Sequence, residues 1–377
     1  MRAAMIPSFR AASASSNHWG TAVKTAATRL GPLPGDANIG ILYVAPALAQ
    51  DLVSIVTFLR ETTPIADWIG GIGYAVLGPT DDSGAEPTLV LMAGRLKDDA
   101  VRPFPGSDPA DFIHRHGAWL DRQHSATALI HGDPRDPTLS TALAILAESG
   151  PIFAVGGLTA PLAEADLPAR SAGVMRRSGL SGALFGEDID ILVGLSQGSH
   201  PIGPLHEVSE AVDNVVISLD DRSALSLLKE ESGEQDLRRV RDTVHVALPD
   251  EGSDDRRAYR ARNLAAIDPV RGWLALEQET LRKGDRLMFA RGDATATRRD
   301  LGRMLDGMAR RLAGRPIRAG LYISCWKRDA WLSESGPAEA EMIRDALGDF
   351  PLIGFSSSGE ICRDRLFAFT GLLTLFL

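Results

Sequence analysis

The sequence predicts an α/β protein of two related modules, in which mixed, partly parallel β-sheets are flanked by helices. Apolar runs of strand length alternate with helical periodicity along most of the 377 residues, and strand-helix-strand units favour parallel pairing. The pattern also recurs. The apolar run at residues 39–44 resembles the one at 319–324, and each precedes a helix and then an isoleucine-glycine pair, at Gly70 and Gly354. We therefore expect an internal duplication.

A second pair of segments supports the duplication. An apolar run followed by Gly132, Asp133 and a helical pattern matches one followed by Gly292, Asp293 and a helical pattern. The two pairs occur in corresponding places along the chain, which favours two α/β halves of common design.

The first half of the chain reads as strands and helices in alternation. We assign residues 1–30 to an N-terminal segment with the first strand and helix of the first module, and residues 31–225 to the body of that module. Two runs at 182–185 and 189–195 are close enough to form a hairpin. The expected helices are 21–30, 47–61, 108–119, 138–148 and one that begins at 223, and the other apolar runs are 39–44, 65–77, 88–92, 126–130, 152–155 and 215–219.

A charged run at residues 230–242 marks the junction to a second domain, which we place at 226–377. The apolar end of the chain is too short to cross a bilayer, so we expect it to be a buried final strand. The other strands expected here are 244–248, 259–267, 273–276, 286–290 and 321–324, and the helices are 298–312 and 338–347.

Composition excludes several classes of function. The net charge is −9 and the pI is near 5.4, which argues against a nucleic-acid binder or a protein of anionic membrane surfaces. The two cysteines, Cys325 and Cys362, cannot build a disulfide framework or a cysteine-based zinc site. No run of about 18 apolar residues is present, so we expect no membrane span and a cytoplasmic location.

Two side chains invite an enzymatic interpretation. Residues 194–198 (GLSQG) fit the G-x-S-x-G nucleophile elbow around Ser196, but Pro201 and Pro204 oppose the helix that must follow the serine. Cys325 follows a buried strand and precedes two cations, which could lower its pKa. Neither residue has an evident base in the sequence, so we assign no catalytic residue, and the four histidines from His114 to His131 suggest no metal site.

Two stretches are typical of a ligand-binding site. Residues 350–361 (FPLIGFSSSGEI) deliver small hydroxyls and one carboxylate, Glu360, to the end of a short strand, although a solvated turn would read the same way. Residues 197–204 combine a side-chain amide with a stiff, irregular backbone that suits a ligand, or a structural crossover between sheets.

These stretches resemble the FIST proteins, whose FIST-N and FIST-C modules occur in this order. The likeness runs from about Phe9 to the last residue. The motifs that carry it are SQGSHPIGP at 196–204, the run 259–285, ISC at 323–325 and PLIGFSSSGEI at 351–361.

The resemblance implies a sensory domain of signal transduction that binds small ligands such as amino acids. It also implies partners such as a histidine kinase, a cyclic-dinucleotide enzyme or a chemoreceptor, and some relatives are described as haem-binding nitric oxide sensors. The sequence departs from the family pattern at Ser199, at His200, in the turn after Cys325 and at the serines before Gly359.

We therefore expect a small polar, amino-acid-like ligand bound between the two modules. Glu360 would accept from its amino group, Gln197 and the backbone at Gly198 would hold its polar end, and Arg262 would pair with its anionic group. The alternatives are a haem-based gas sensor with His200 or another histidine as axial ligand, a hydrolase or transferase using Ser196 or Cys325, and an interaction scaffold. The predicted ligand-binding residues are Gln197, Gly198, His200, Pro201, Gly203, Arg262, Asn263, Cys325, Gly354, Ser357, Ser358, Gly359 and Glu360.

Overall fold

A computed structural model describes residues 9–79, 86, 88–107, 109–136, 138–160, 180–249, 259–277, 279–332 and 338–377. Its α-helices are α1 (Trp19–Leu30), α2 (Leu52–Thr62), α3 (Pro109–Leu120), α4 (Leu139–Glu148), α5 (Ala224–Ser232), α6 (Leu237–Thr243), α7 (Ala294–Leu312), α8 (Trp326–Leu332) and α9 (Glu339–Leu347). A 3-10 helix, Pro46–Asp51, leads into α2.

The strands before residue 226 are β1 (Phe9–Ala14), β2 (Ile39–Val44), β3 (Trp68–Ile72), β4 (Val76–Leu77), β5 (Leu89–Gly94), β6 (Val101–Ser107), β7 (Ala126–Gly132), β8 (Ile152–Leu158), β9 (Leu180–Gly186), β10 (Ile191–Gln197), β11 (Ser199–Pro201), β12 (His206–Val212), β13 (Val215–Leu219) and β14 (Arg222–Ser223). Those after it are β15 (Val244–Pro249), β16 (Tyr259–Arg262), β17 (Leu264–Asp268), β18 (Trp273–Leu276), β19 (Arg286–Gly292), β20 (Ala319–Cys325), β21 (Leu352–Ser357), β22 (Glu360–Cys362), β23 (Arg365–Phe367) and β24 (Thr370–Phe376).

Three sheets share one topology. The first has the order β1-β5-β2-β3, the second β6-β9-β7-β8-β22-β23, and the third β10-β24-β20-β21-β4. In each, the chain passes through a helix between the two strands of a parallel pair (β2–β3, β7–β8 or β20–β21). A later antiparallel strand, β5, β9 or β24, then lies between that pair and the strand β1, β6 or β10. The prediction of mixed, partly parallel sheets flanked by helices is confirmed.

The repeat that relates β2 to β20 and β3 to β21 therefore occurs a third time, at β7 and β8. A glycine marks the same place in all three copies, on β3, β8 and β21. A Cβ added to Gly70, Gly156 or Gly354 would lie within 1.9 Å of a carbonyl oxygen on the neighbouring strand. The two backbones approach so closely there that no side chain fits.

Two expectations about pairing are wrong. The strand before Gly292 is β19, which lies between antiparallel strands of a fourth sheet and is no counterpart of β7. The runs predicted to form a hairpin are β9 and β10, which belong to the second and third sheets. Both errors arose because spacing along the chain does not determine the sheet that a strand joins.

The three repeated sheets face one another around a shared apolar core. On β2, alternate residues such as Ile41 and Tyr43 point into that core, together with Phe355 of the third sheet and Val155 of the second. The opposite faces are covered by α1 and α2, by α3 and α4, and by α7 and α9 respectively.

The fourth sheet has the order β16-β15-β19-β12-β13-β18-β17, with β11 on β19 and β14 on β13, and α5 and α6 complete its apolar core. Its other face packs against Ala368 and Phe369, which connect β23 of the second sheet to β24 of the third. The third sheet itself takes β4 and β10 from the segment before residue 226 and its other strands from the segment after it. The two halves of the sequence are therefore interleaved in space, and the predicted domain boundaries stay a prediction.

Within the described ranges, the helices are each too short or too polar to cross a lipid bilayer.

Candidate functional site

A cleft of about 440 Å³ lies where the three repeated sheets meet the fourth sheet. Its lining includes residues that lie one or two positions beyond the ends of parallel strands: Tyr74 after β3, Pro134 after β7, Lys327 after β20 and Ser358 after β21. The carboxyl ends of parallel strands thus open into one space, which is where α/β proteins commonly bind ligands. The fourth sheet closes the space from the other side with Asn214, Ala261, Arg262, Asn263, Ala265, Leu276 and Glu277.

Arg262 is a buried cation at this cleft. Its Nε donates to Glu279 Oε2 at 3.0 Å, and its Nη1 donates to the carbonyl oxygens of Leu366 at 2.9 Å and Ala261 at 3.0 Å. Burial lowers the pKa of Arg262, and the Glu279 carboxylate opposes that effect. The guanidinium therefore joins β16 to β23, and most of its hydrogen-bonding capacity is used within the protein.

Lys327 is the second cation at the cleft, and it lacks the ion pair that Arg262 makes with Glu279. Its Nζ donates to Asn263 Oδ1 at 3.0 Å, and the Asn263 amide donates in turn to Glu277 Oε2 at 2.8 Å. Burial lowers the pKa of Lys327, and the nearby Glu277 carboxylate opposes that effect. Among the described residues, no carboxylate lies within ion-pairing distance of Nζ. Two of the three ammonium hydrogens are thus left for water or a ligand.

Two aromatic side chains stand at the same cleft. The rings of Tyr74 and Trp326 are stacked, with centroids 5.3 Å apart and planes inclined by 26°. Tyr74 is 37% exposed and Trp326 is 39% exposed. Lys327 Nζ lies 5.8 Å from the Trp326 ring centroid, so a cation and an aromatic face adjoin in one space.

Glu360 lies behind the wall of the cleft and is fully buried. It pairs on β22 with Phe367 of β23, and Phe367 lines the cleft. Its Oε2 accepts from the Thr370 hydroxyl at 2.7 Å and the Thr370 amide at 3.2 Å. Burial raises the pKa of Glu360 to about 8, against the effect of these hydrogen bonds. The carboxyl group is therefore mostly protonated at neutral pH.

A second buried network surrounds Arg328, which is completely inaccessible to solvent. Its guanidinium donates to Glu339 Oε1 from Nη2 at 2.6 Å and from Nε at 3.0 Å, and to the Ser196 carbonyl at 3.0 Å. Ser324 donates to the other Glu339 oxygen at 2.6 Å. Ser196 is thus an interior residue of β10 that faces a cation, and it does not stand on a strand-to-helix turn.

Cys325 is buried at the end of β20, opposite Ser357 on β21. Burial raises the pKa of its thiol well above the usual range, and the Glu360 carboxyl raises it further. The geometry therefore gives Cys325 the properties of an interior thiol, which is a poor nucleophile.

The other predicted site residues lie apart from the cleft. His200 is half exposed on β11, with Nδ1 3.8 Å from Asp293 Oδ2, and Pro201 pairs with β19. Gly203 lies against the Glu231 carboxylate. The His200 side chain is 44% exposed and faces the Asp293 carboxylate, which does not fit the apolar slot that a haem needs, so we derive no step through that group.

The remaining predicted residues serve the packing of strands. The Gln197 amide donates to the Tyr259 carbonyl at 3.0 Å, and the Gly198 N–H donates to the Phe369 carbonyl at 3.0 Å. Ser357 donates to the Gly359 carbonyl at 2.6 Å, and Gly354 lies within β21.

The structure thus brings Arg262, Asn263 and Ser358 together at the cleft, and places Cys325, Ser357 and Glu360 in the layer behind it. Sequence reasoning missed Lys327, Glu277 and the Tyr74–Trp326 pair. The sequence carried one signal for them, because Trp326 and Lys327 replace the small turn that the resemblance predicts after Cys325.

Comparison with known proteins agrees with this architecture. The FIST N domain matches residues 38–222, and the FIST C domain matches residues 224–363. An uncharacterized protein of Mycobacterium tuberculosis is 30% identical over 197 residues, and an uncharacterized protein of Mycobacterium bovis is 29% identical over 197 residues. Each match covers 48% of this chain and 50% or 49% of the relative.

The chain therefore spans about half the length of the curated relatives it matches. FIST domains are associated with sensory signal transduction and with ligand binding. With an N domain followed by a C domain over most of its length, the chain belongs to the FIST family.

Proposed function

We propose that this chain is a sensory protein that binds a small polar ligand in the cleft between its modules and passes the signal to a separate partner. The observation that carries the proposal is Lys327, a half-buried ammonium with no carboxylate in ion-pairing distance among the described residues. A partly buried cation without an ion-pairing carboxylate favours an anionic ligand group. The proposed location is the cytoplasm, and the proposed partners are a histidine kinase, a cyclic-dinucleotide enzyme or a chemoreceptor.

The side chains around Lys327 can hold both ends of an amino-acid-like ligand. The Lys327 ammonium would receive its carboxylate, with Ser358 beside it. Glu277, which is exposed in the cleft, would receive its ammonium group. Glu360 was predicted to take that second role, but it is fully buried and bonded to Thr370, so Glu277 is the better placed of the two carboxyl groups.

A thermal-shift screen of small metabolites tests the proposal. We expect at least one compound to raise the melting temperature of the wild type in proportion to log concentration. In Lys327→Gln its affinity should fall about 10- to 100-fold, as expected for a lost hydrogen bond to a charged group. Comparing Glu277→Gln with Glu360→Gln then shows which carboxyl group meets the ligand. A compound that stabilises wild type and Lys327→Gln equally would place the site elsewhere.

A further inference from the structure

We propose that the ligand of this cleft combines a flat unsaturated ring with a single carboxylate, an inference that rests on the proposed function because it specifies the ligand of the same cleft. The stacked rings of Tyr74 and Trp326 lie beside the Lys327 ammonium, which makes no ion pair among the described residues. Together they would recognise a ring and an anion within one small molecule.

The exposure of two aromatic side chains indicates a ring in the ligand. Five large apolar side chains are exposed among the described residues: Tyr74, Ile113, Val212, Val270 and Trp326. Two of these five, Tyr74 and Trp326, stack on each other, and both line the cleft. They come from opposite halves of the sequence. Each side chain is more than one third exposed, so part of each ring presents apolar surface to the cleft, and a flat ring would cover that surface by stacking or edge-on packing.

The position of the Lys327 ammonium indicates an anionic group close to that ring. Its Nζ uses one hydrogen for Asn263 and lies 5.8 Å from the Trp326 ring centroid. A carboxylate bonded to Nζ and a ring packed against Trp326 would therefore be separated by only a few bonds. This spacing is that of an arylacetate or an aromatic amino acid.

The surrounding carboxylates limit the ligand to one negative charge. Glu277 lines the cleft, and Glu279 lies just behind it, paired with Arg262 at 3.0 Å. Arg262 balances the charge of Glu279, whereas Glu277 makes no ion pair among the described residues and would repel a second negative charge on the ligand, since charges of like sign at short range disfavour each other. A monocarboxylate fits this balance better than a phosphate ester does.

Three matched probes separate the ring from the charge: phenylacetate, phenylacetamide and acetate. Titration calorimetry of the full chain should give phenylacetate an affinity at least about tenfold higher than that of the other two probes. Lys327→Gln should remove the preference for phenylacetate over phenylacetamide. Trp326→Leu should weaken phenylacetate by about tenfold, and Trp326→Phe should restore most of it. Tyr74→Leu, with circular dichroism to verify folding, repeats the test from the other side of the stack.

Phenylacetate binding no tighter than acetate or phenylacetamide would overturn the inference, and so would binding that is unchanged in both Trp326→Leu and Tyr74→Leu. The metabolite screen distinguishes this failure from failure of the proposed function. A ringless compound that depends on Lys327 would refute the ring and leave the cleft as the site. A screen in which no compound depends on Lys327 would refute both.

Discussion

Glu360 is a fully buried carboxyl group on β22. In the sequence, a lone acid after a strand and three serines predicts a ligand-facing carboxylate. Its position on β22 instead buries it against Thr370, and burial raises its pKa to about 8. The sequence could not predict this, because the strands that cover Glu360 come from residues 152–158 and 365–376.

This burial predicts a pH dependence of stability. The folded protein holds a proton on Glu360 up to a pH of about 8, whereas the unfolded chain releases it near 4.5. The folded state therefore binds more protons between these values, and the free energy of unfolding should fall as pH rises through that window, by up to about 1.4 kcal/mol per pH unit. Urea unfolding of wild type and Glu360→Gln at several pH values measures the difference. Parallel curves for the two proteins would contradict the assignment.

Arg328 and Glu339 form a buried ion pair, and we predict the effect on stability of removing one of its two charges. Arg328→Met leaves Glu339 buried without its cation, and we expect a loss of about 3–5 kcal/mol in the free energy of unfolding. Arg328→Met combined with Glu339→Gln should recover part of that loss. Denaturant titrations of the single and double variants give the comparison, and equal losses in both would show that the pair's charges are not coupled.

At the level of elements, the repeat was predictable in part. The matches of β2 with β20 and of β3 with β21 follow from the isoleucine-glycine pairs. The third copy had a signal as well, since Val155-Gly156-Gly157 resembles Ile69-Gly70-Gly71. The false match at Gly292 has a local cause. Asp293 accepts from the Ala296 N–H at 2.7 Å and caps α7, so the glycine-aspartate pair marks the start of a helix and carries no information about the sheet.

The close approach of strands in the three copies predicts a matched set of substitutions. Alanine at Gly70, Gly156 or Gly354 would force the backbone of the neighbouring strand to move, and we expect each to cost at least about 3 kcal/mol. Gly302→Ala in α7 is the control. It has no neighbouring atom within 4 Å of the added carbon and should gain about 0.5–1 kcal/mol from helix propensity. Small losses at the three strand positions would mean that the strands are farther apart than described.

At the scale of the molecule, the third sheet ties the two halves of the sequence together. β24 lies between β10 and β20, and β4 pairs with β21. Because each half lacks partners for these strands on its own, we expect the chain to unfold in one cooperative transition. Far-ultraviolet circular dichroism and tryptophan fluorescence should then give coincident curves in urea. Two separate transitions would indicate halves that fold independently.

The cleft is lined by residues from both halves of the sequence, which explains why only part of it was predicted. Arg262, Asn263 and Ser358 were identified from motifs, but Lys327 gains its significance from Asn263, 64 positions away in sequence. That proximity exists only after the fourth sheet docks on the carboxyl ends of the repeated strands.

The central claim is that this cleft binds the ligand through Lys327. Titration calorimetry of a compound from the metabolite screen tests it most directly, against wild type, Lys327→Gln and Lys24→Gln, the last being an exposed lysine on α1. We predict a dissociation constant about 10- to 100-fold higher in Lys327→Gln and unchanged in Lys24→Gln. Equal dissociation constants in all three proteins would contradict the account.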